Sequence, residues 1–180
     1  TGFIVANERV ITNAHVVAGV EDPVISQLNG SSQIQGKVIY INRQKDVAVL
    51  FVPGLIGDKL TFMGPVTANE LGFVIGYPNG GNIKTIPVSI SSEFETLGSD
   101  IDGQGQVSRE VIVFGGDIKP GNSGGPLLNQ QGQALGMVFA ADAQAKSTGY
   151  ALAPQEMVEI INKSKESTNS VSTGDCAKAS

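Results

Sequence analysis

The chain is a succession of short apolar segments that recur about every ten residues and are separated by turn-forming residues. In the first half the segments lie at residues 2–6, 10–12, 24–26, 34–41 and 47–52, with breakers such as Asn29-Gly30 and Pro53-Gly54. Segments this short do not supply the long helices of alternating β and α units, and their frequent turns are typical of antiparallel sandwiches and barrels. The spacing therefore predicts an all-β fold.

The apolar pattern lapses after residue 52 and resumes near residue 71, which predicts two lobes joined by a linker. We expect the first lobe within residues 1–62, the linker at about 53–70 and the second lobe at 71–153. In the second lobe a tight reversal is predicted at Asn79-Gly80 and a mobile loop at the glycine-rich residues 95–106.

A change of period after residue 153 marks the C-terminal region. Met157, Ile160 and Ile161 fall on one helical face, and Pro154 suits a first helical turn, so residues 154–165 are predicted to be a helix. The polar tail at 166–180 cannot bury enough apolar surface to order itself unless another part of the molecule holds it.

Charge and composition exclude several classes of function. Twelve Lys and Arg against 17 Asp and Glu give a net charge of −5, so there is no basic surface for nucleic acid. The chain has one His and one Cys, too few for a zinc site built from those residues, and no metal or cofactor is expected. Any catalytic imidazole must therefore be His15. No apolar stretch approaches the roughly 20 residues that span a bilayer.

The hexapeptide at residues 121–126, Gly-Asn-Ser-Gly-Gly-Pro, is the most informative segment for chemistry. Glycines beside a serine allow the backbone to approach a substrate carbonyl and to aim N–H groups around a nucleophile. An ordinary glycine-rich turn is the alternative. The isolated serine among glycines favours a nucleophile at Ser123.

The order of residues along the chain discriminates among the serine hydrolases. An α/β-hydrolase needs its histidine after the serine, whereas His15 precedes Ser123. The subtilisin order needs an aspartate before the histidine, and residues 1–14 contain only Glu8 as an acid. The order His, Asp, Ser remains, with the acid among six intervening aspartates. Asp46 is favoured because it directly precedes a rigid strand that can hold a carboxylate against the imidazole; a simple turn aspartate is the alternative.

Three segments together resemble the signatures of trypsin-like serine proteases, particularly exported bacterial ones. They are Thr-Asn-Ala-His at residues 12–15, Asp-Val-Ala-Val-Leu at 46–50 and Gly-Asn-Ser-Gly-Gly-Pro-Leu at 121–127. The loop at residues 76–82 and the Thr-Gly-Asp-Cys at 173–176 resemble the membrane-anchored periplasmic acid-resistance proteases of mycobacteria and related actinobacteria.

The resemblance implies two six-stranded antiparallel barrels, with the first strand of the first barrel absent from this chain. It further implies a catalytic triad of His15, Asp46 and Ser123, with the backbone N–H groups of Gly121 and Ser123 as the oxyanion hole. The substrate pocket would be formed by six residues: Asp117, Phe139, Ala140, Ala141, Gly149 and Tyr150. A carboxylate at Asp117 would select Lys or Arg, although an exposed loop aspartate is the favoured interpretation there.

The resemblance also implies a setting for the chain. We expect a monomeric endopeptidase that acts on extracytoplasmic polypeptides, with envelope stress or acid resistance as its role. Membrane contact is expected only through upstream helices, and Cys176 is a candidate for a disulfide with an upstream cysteine. Asn122 stands where digestive proteases pair an aspartate with a freed N-terminus, so that mode of activation is not expected.

Three alternatives remain open from the sequence. A high-temperature-requirement type quality-control protease shares the serine motif. A catalytically inactive protease fold could serve as a binding module. A soluble β-barrel with coincidental motifs would have no triad, and three motifs in order make it the weakest of the three.

Overall fold

The first 51 residues form two small antiparallel sheets. The computed structural model describes residues 1–28, 33–142, 144 and 147–178, so the predicted Asn29-Gly30 turn lies outside the described residues. The larger sheet contains β1 (Phe3–Ala6), β2 (Arg9–Thr12), β5 (Lys37–Asn42) and β6 (Val47–Phe51), in the spatial order β1-β2-β6-β5. A short helix α1 (Ala14–Val17) follows β2, and β3 (Val24–Ser26) pairs only with β4 (Gln33–Gln35).

The first lobe differs from the six-stranded barrel lacking its first strand that the resemblance implied. Among the described residues its six strands divide into an open sheet of four and a hairpin of two. The physical reason is visible in β3 and β4: each has three residues and only its central one is half-buried. Strands this short bury too little apolar surface to extend the larger sheet around a barrel.

The second lobe is a closed barrel of six strands, as predicted. Its strands are β7 (Leu71–Gly76), β8 (Lys84–Ser99), β9 (Gln106–Gly115), β10 (Pro126–Asn129), β11 (Ala134–Ala141) and β12 (Thr148–Leu152). They close in the order β10-β11-β12-β9-β8-β7. Inward residues such as Val74, Phe114 and Leu127 form its core. A single isolated bridge, between Phe62 and Ala134, anchors the connection between the lobes to β11.

A second hydrophobic cluster joins the two lobes. Ile11 and Val49 of the first lobe pack in it together with Met137 of the barrel, and Met157 and Ile161 from the C-terminal region complete it. The two lobes therefore share one hydrophobic core cluster, which packs them directly against each other.

The prediction of a loop at residues 95–106 was wrong. Strands β8 and β9 continue through this stretch as a hairpin whose last paired residues are Ser99 and Gln106. Only residues 100–105 turn, with Gly103 in the left-handed region at φ 65°. Gly98, the one glycine of this stretch that lies in a strand, is tolerated because ladder bonds and the side chains of Arg43 and Lys45 from the first lobe hold the hairpin.

The C-terminal region contains the predicted helical segment in two parts, a 3-10 turn (Pro154–Glu156) and helix α2 (Val158–Ser164). The guanidinium of Arg9 closes the end of α2, donating to the carbonyls of Lys165 at 2.8 Å and Ser167 at 2.9 Å. It also lies 4.5 Å above the ring of Phe51. A cation at a helix C-terminus satisfies orphan carbonyls and opposes the negative end of the helix dipole. No helix in the described part of the chain is long and apolar enough to cross a membrane.

The polar tail is held against both lobes as far as residue 178. The Val171 N–H donates to the Val38 carbonyl at 2.8 Å, and the Lys178 N–H donates to the Ile101 carbonyl at 3.1 Å. Between them Thr173 is buried. The tail is therefore ordered by backbone hydrogen bonds to other elements, the condition on which its ordering was predicted to depend.

Candidate active site

His15 and Asp46 are brought together by the pairing of β2 with β6. His15 lies in α1, three residues beyond Thr12, which pairs with Ala48 of β6. The two oxygens of the Asp46 carboxylate accept different donors of the same residue: the backbone N–H of His15 at 2.9 Å and its ring Nδ1 at 2.8 Å. The carboxylate is buried, whereas the His15 side chain is 31% exposed. The Nδ1 side of the imidazole ring is thus fixed by Asp46, and the opposite ring nitrogen, Nε2, is available to accept or donate a proton.

Asp46 occupies a backbone conformation that few residues adopt. Its φ is 59°, in the left-handed region, at the end of the turn that connects β5 to β6. The side-chain amide of the fully buried Asn13 donates to the Asp46 carbonyl at 3.0 Å. Such a conformation costs about 1–2 kcal/mol and persists only where neighbouring groups fix it.

Ser123 lies in a tight loop between β9 and β10 that is anchored to β11. The Gly124 N–H donates to the Val138 carbonyl at 2.8 Å, and the Val138 N–H donates to Gly125 at 2.9 Å. Gly124 has a φ of +79°, and a Cβ built there would lie 2.1 Å from the Thr1 carbonyl oxygen and 2.3 Å from Thr12 Oγ1. The serine loop therefore packs directly on the strand that leads to His15. No hydrogen bond joins Ser123 to His15 among the described residues; such bonds are often long before substrate binds.

The backbone N–H groups of Gly121 and Ser123 have no acceptor among the described residues. The Pro120 carbonyl, in contrast, accepts a 2.6 Å hydrogen bond from the N–H of Asn79. Because carbonyl and N–H point in opposite directions in a trans peptide, this bond turns the Gly121 N–H away from the 77–79 loop. Gly121 also needs to be glycine, since its φ is +94° and a Cβ would lie 2.1 Å from the Tyr77 carbonyl oxygen.

Asn79 is a contributor to the site that sequence reasoning missed. Its segment was predicted as a reversal of the chain and as part of a loop that resembles a protease subfamily, and the structure has a 3-10 turn at Pro78–Gly80 in which the Asn79 N–H donates to the serine loop. A backbone donor carries no side-chain signature, so only the packing of this turn on Pro120 identifies it.

Five of the six predicted pocket residues lie together on adjacent strands. Ala140 pairs with Tyr150 and Ala141 with Gly149, and the rings of Phe139 and Tyr150 are 6.4 Å apart. The Tyr150 hydroxyl donates to Asp142 Oδ2 at 3.0 Å, and this hydrogen bond, reinforced by burial, raises the pKa of Tyr150.

Asp117 does not join the other five. Its side chain is 68% exposed and pairs with the ammonium of Lys119 at 2.8 Å, in agreement with the exposed-loop interpretation. The next residue, Ile118, is buried instead and lies with Phe114 beneath Gly149. Asp117 therefore does not lie as a buried carboxylate among the predicted pocket strands.

Two further residues of interest have distinct surroundings. Cys176 is a free, exposed thiol whose sulfur lies against Gly19, where a Cβ would come within 2.6 Å.

Asn122 is completely buried beside Gly76, and its side-chain amide has no hydrogen-bond partner among the described residues. Within that same part of the chain, no group of three His, Cys, Asp or Glu residues could hold a metal ion.

A closed barrel packed on a smaller sheet, an imidazole–carboxylate pair just after β2 and a glycine-flanked serine in a loop that packs on β2 together define the class of trypsin-like serine proteases. The family model for the trypsin-like peptidase domain matches residues 1–137. The chain belongs to this family.

Individual relatives show which members of the family the chain resembles. Serine protease Rv3671c of Mycobacterium tuberculosis is 36% identical over 178 residues, which are 98% of this chain and 44% of that protein. The putative serine protease HhoB of Synechocystis is 34% identical over 155 residues, 84% of this chain and 36% of that protein. The predicted resemblance to a mycobacterial serine protease is thus confirmed. The chain spans less than half the length of either relative.

Solved structures agree with these relatives. The active form of the Rv3671c protease superposes with a TM-score of 0.94 at 36% identity, covering 98% of this chain and 78% of that one. An inactive form of the same protease gives a TM-score of 0.80 and covers 90% of this chain and 82% of that one. The chain therefore shares its overall arrangement more closely with the active form.

Proposed function

We propose that the chain is the catalytic domain of a serine endopeptidase. The observation that supports it best is the double contact between Asp46 and His15, which fixes the ring and its tautomer. With Nδ1–H donating to the carboxylate, Nε2 is an acceptor for the hydroxyl proton of Ser123. Asp46 then stabilises the imidazolium that forms.

The reaction follows from these roles. Ser123 Oγ attacks the substrate carbonyl as its proton moves to His15 Nε2, and the same proton passes to the amine that leaves. The acyl-enzyme is hydrolysed by water through the reverse sequence. The N–H groups of Gly121 and Ser123 receive the oxyanion, and one such donor contributes about 3 kcal/mol to the stabilisation of the transition state in related chemistry.

The substrate class proposed is a polypeptide with an apolar residue before the cleaved bond. The strands proposed to line the pocket carry Phe139, Ala140 and Gly149, and the buried Ile118 packs against Gly149. The exposed Asp117 is already paired with Lys119. Leu-type peptides should therefore be cleaved faster than Arg-type peptides, and Asp117→Asn should leave the ratio of kcat/KM values unchanged. A collapse of Arg cleavage in that variant would contradict the apolar pocket.

Fluorophosphonate labelling with peptide mapping tests the catalytic proposal. The adduct should lie on Ser123, and Ser123→Ala or His15→Ala should abolish labelling. Ser91→Ala, a change at an exposed serine on β8, is the control and should label like the parent. A folded protein that takes no label would favour the alternative of an inactive protease fold that binds polypeptides.

The setting is proposed from the relatives. The DegP-like periplasmic serine endoprotease of Pseudomonas putida, 30% identical over 172 residues, supports an extracytoplasmic domain. We propose that it is monomeric, that upstream helices tether it to the membrane, that Cys176 pairs with an upstream cysteine and that it serves envelope stress or acid resistance. The high-temperature-requirement type of quality-control protease is the second candidate. It is supported by HtrA-type structures with the same fold, such as AlgW with a decapeptide at a TM-score of 0.80 and 22% identity.

A further inference from the structure

The turn that carries Asp46 is held by the opposite lobe. Residues 43–46 form this turn, and the Asn42 side-chain oxygen accepts the N–H of Lys45 at 2.9 Å within it. That local bond alone does not account for a left-handed aspartate at its end. Asn13 of the same lobe also donates to the Asp46 carbonyl, and further restraints on residues 43–45 come from the β8–β9 hairpin, which reaches across from the second lobe.

Arg109 provides the most buried of these restraints. Its side chain, on β9, is in a residue only 6% exposed, and both Nε and Nη2 donate to the carbonyl of Gln44, Nε at 3.1 Å. Nη2 donates as well to the Ser99 carbonyl at 3.0 Å, on the other strand of the hairpin. The guanidinium makes no ion pair with a carboxylate among the described residues, so backbone carbonyls alone satisfy it.

The geometry of that contact is specific for arginine. A planar fork can grip one carbonyl with two N–H groups and still reach a second one, whereas the ammonium of lysine has no such fork. A hydrogen bond from a charged donor is stronger than one between neutral groups, so the turn and the hairpin hold each other in register. Gln44 is two residues before Asp46, within the same turn.

Contacts of the neighbouring residues 43 and 45 also join the turn to the second lobe, but they are more exposed. The Ile101 N–H donates to the Arg43 carbonyl at 3.3 Å. Lys45 Nζ donates to the Ser108 carbonyl at 2.7 Å and pairs with Glu156 at 2.8 Å, with its side chain 34% exposed. Three consecutive residues before Asp46 are thus held by the second lobe, with Arg109 as the buried centre.

We propose that Arg109 is a positioning residue for the triad acid. It fixes the turn at Gln44 and thereby keeps the Asp46 carboxylate in its double contact with His15. The expected effect of Arg109 on the rate rests on the proposed function, whereas its effect on the geometry of Asp46 does not.

The experiment compares Arg109→Met with Arg9→Met in the full chain. Arg9 is a matched control because it is also 6% exposed and donates to backbone carbonyls, yet it closes helix α2 rather than the Asp46 turn. Arg109→Met should lower kcat at least tenfold on a peptide substrate with KM little changed, since small displacements of catalytic groups are costly. It should also weaken or shift the low-field proton NMR resonance of His15 Nδ1–H.

Arg9→Met should keep both the rate and the resonance near those of the parent when measured well below its unfolding temperature. Should Arg109→Met fail to fold, Arg109→Lys and Arg9→Lys serve for the same comparison, with a smaller loss expected at position 109. If the Arg109 variants lose stability but retain kcat and the resonance, the positioning role is overturned. If the parent neither cleaves peptide nor takes the fluorophosphonate label, the proposed function fails, and the resonance still tests Arg109.

Discussion

A methyl group added at Gly124 tests whether the serine loop needs its close contact with the first lobe. Gly132, in the turn between β10 and β11, is a matched control because the two glycines have nearly the same backbone, with φ +79° and +78°. They differ in surroundings. A Cβ on Gly132 meets nothing within 4 Å, whereas a Cβ on Gly124 lies 2.1 Å from the Thr1 carbonyl oxygen and 2.3 Å from Thr12 Oγ1.

The magnitudes follow from that difference. Both variants place alanine in the left-handed region, which costs about 1–2 kcal/mol, offset in part by a stiffer unfolded chain. Gly132→Ala should therefore destabilise the protein by about 1 kcal/mol and leave kcat unchanged. In Gly124→Ala the contact must also open by about 1 Å, which adds about 1–3 kcal/mol of strain and should reduce kcat about 100-fold.

Urea unfolding and hydrolysis of a chromogenic peptide measure the two effects. The expected pattern is a small stability loss for Gly132→Ala, a larger one for Gly124→Ala, and a rate loss confined to Gly124→Ala. Equal free energies of unfolding for the two variants, or a Gly124→Ala variant within threefold of the parent rate, would refute the steric reasoning.

Three other changes have defined outcomes. Asp46→Asn should lower kcat in peptide hydrolysis about 10⁴-fold, because an amide cannot accept both N–H groups of His15; a loss below tenfold would contradict the triad. Asp142→Asn should lower the pKa of Tyr150 in an ultraviolet titration of the phenolate, since the hydrogen bond to that carboxylate is the main cause of its rise. A raised folded-state pKa means that this stabilisation is present below the pKa of tyrosine in the unfolded chain and is lost as pH rises through the folded value. Parent and variant should then converge in free energy of unfolding at alkaline pH, and an unchanged Tyr150 titration would contradict the assignment. Arg9→Met should destabilise the chain by about 2–3 kcal/mol in urea with kcat retained, and a loss under 0.5 kcal/mol would argue against the helix closure.

The sequence was informative where function requires particular residue types at fixed spacing. His15, Asp46 and Ser123 could be selected because only one order of catalytic residues fits the chain, and the structure joins the first two directly. The closed second barrel was implied by the resemblance to a known family, because the apolar spacing alone left a sandwich open as well and β10 has only four residues.

The remaining features depend on contacts that leave no local pattern. The hairpin at residues 95–106 contains three glycines and looks like a loop, yet it is ordered by its ladder and by Arg109. The tail is polar throughout, and its order comes from backbone bonds to Val38 and Ile101. Asn79 contributes only an N–H group, which every residue except proline carries.

The contacts between the β8–β9 hairpin and the first lobe also affect the order in which the molecule folds. During synthesis the strands around His15 and Asp46 emerge before residues 99–109 exist, so the acid's turn then lacks its partners from the second lobe. Lobes that exchange such contacts complete folding together rather than one after the other. On the proposed role of Arg109, a nascent or truncated chain would carry His15 and Asp46 without the contacts that hold the Asp46 turn in place.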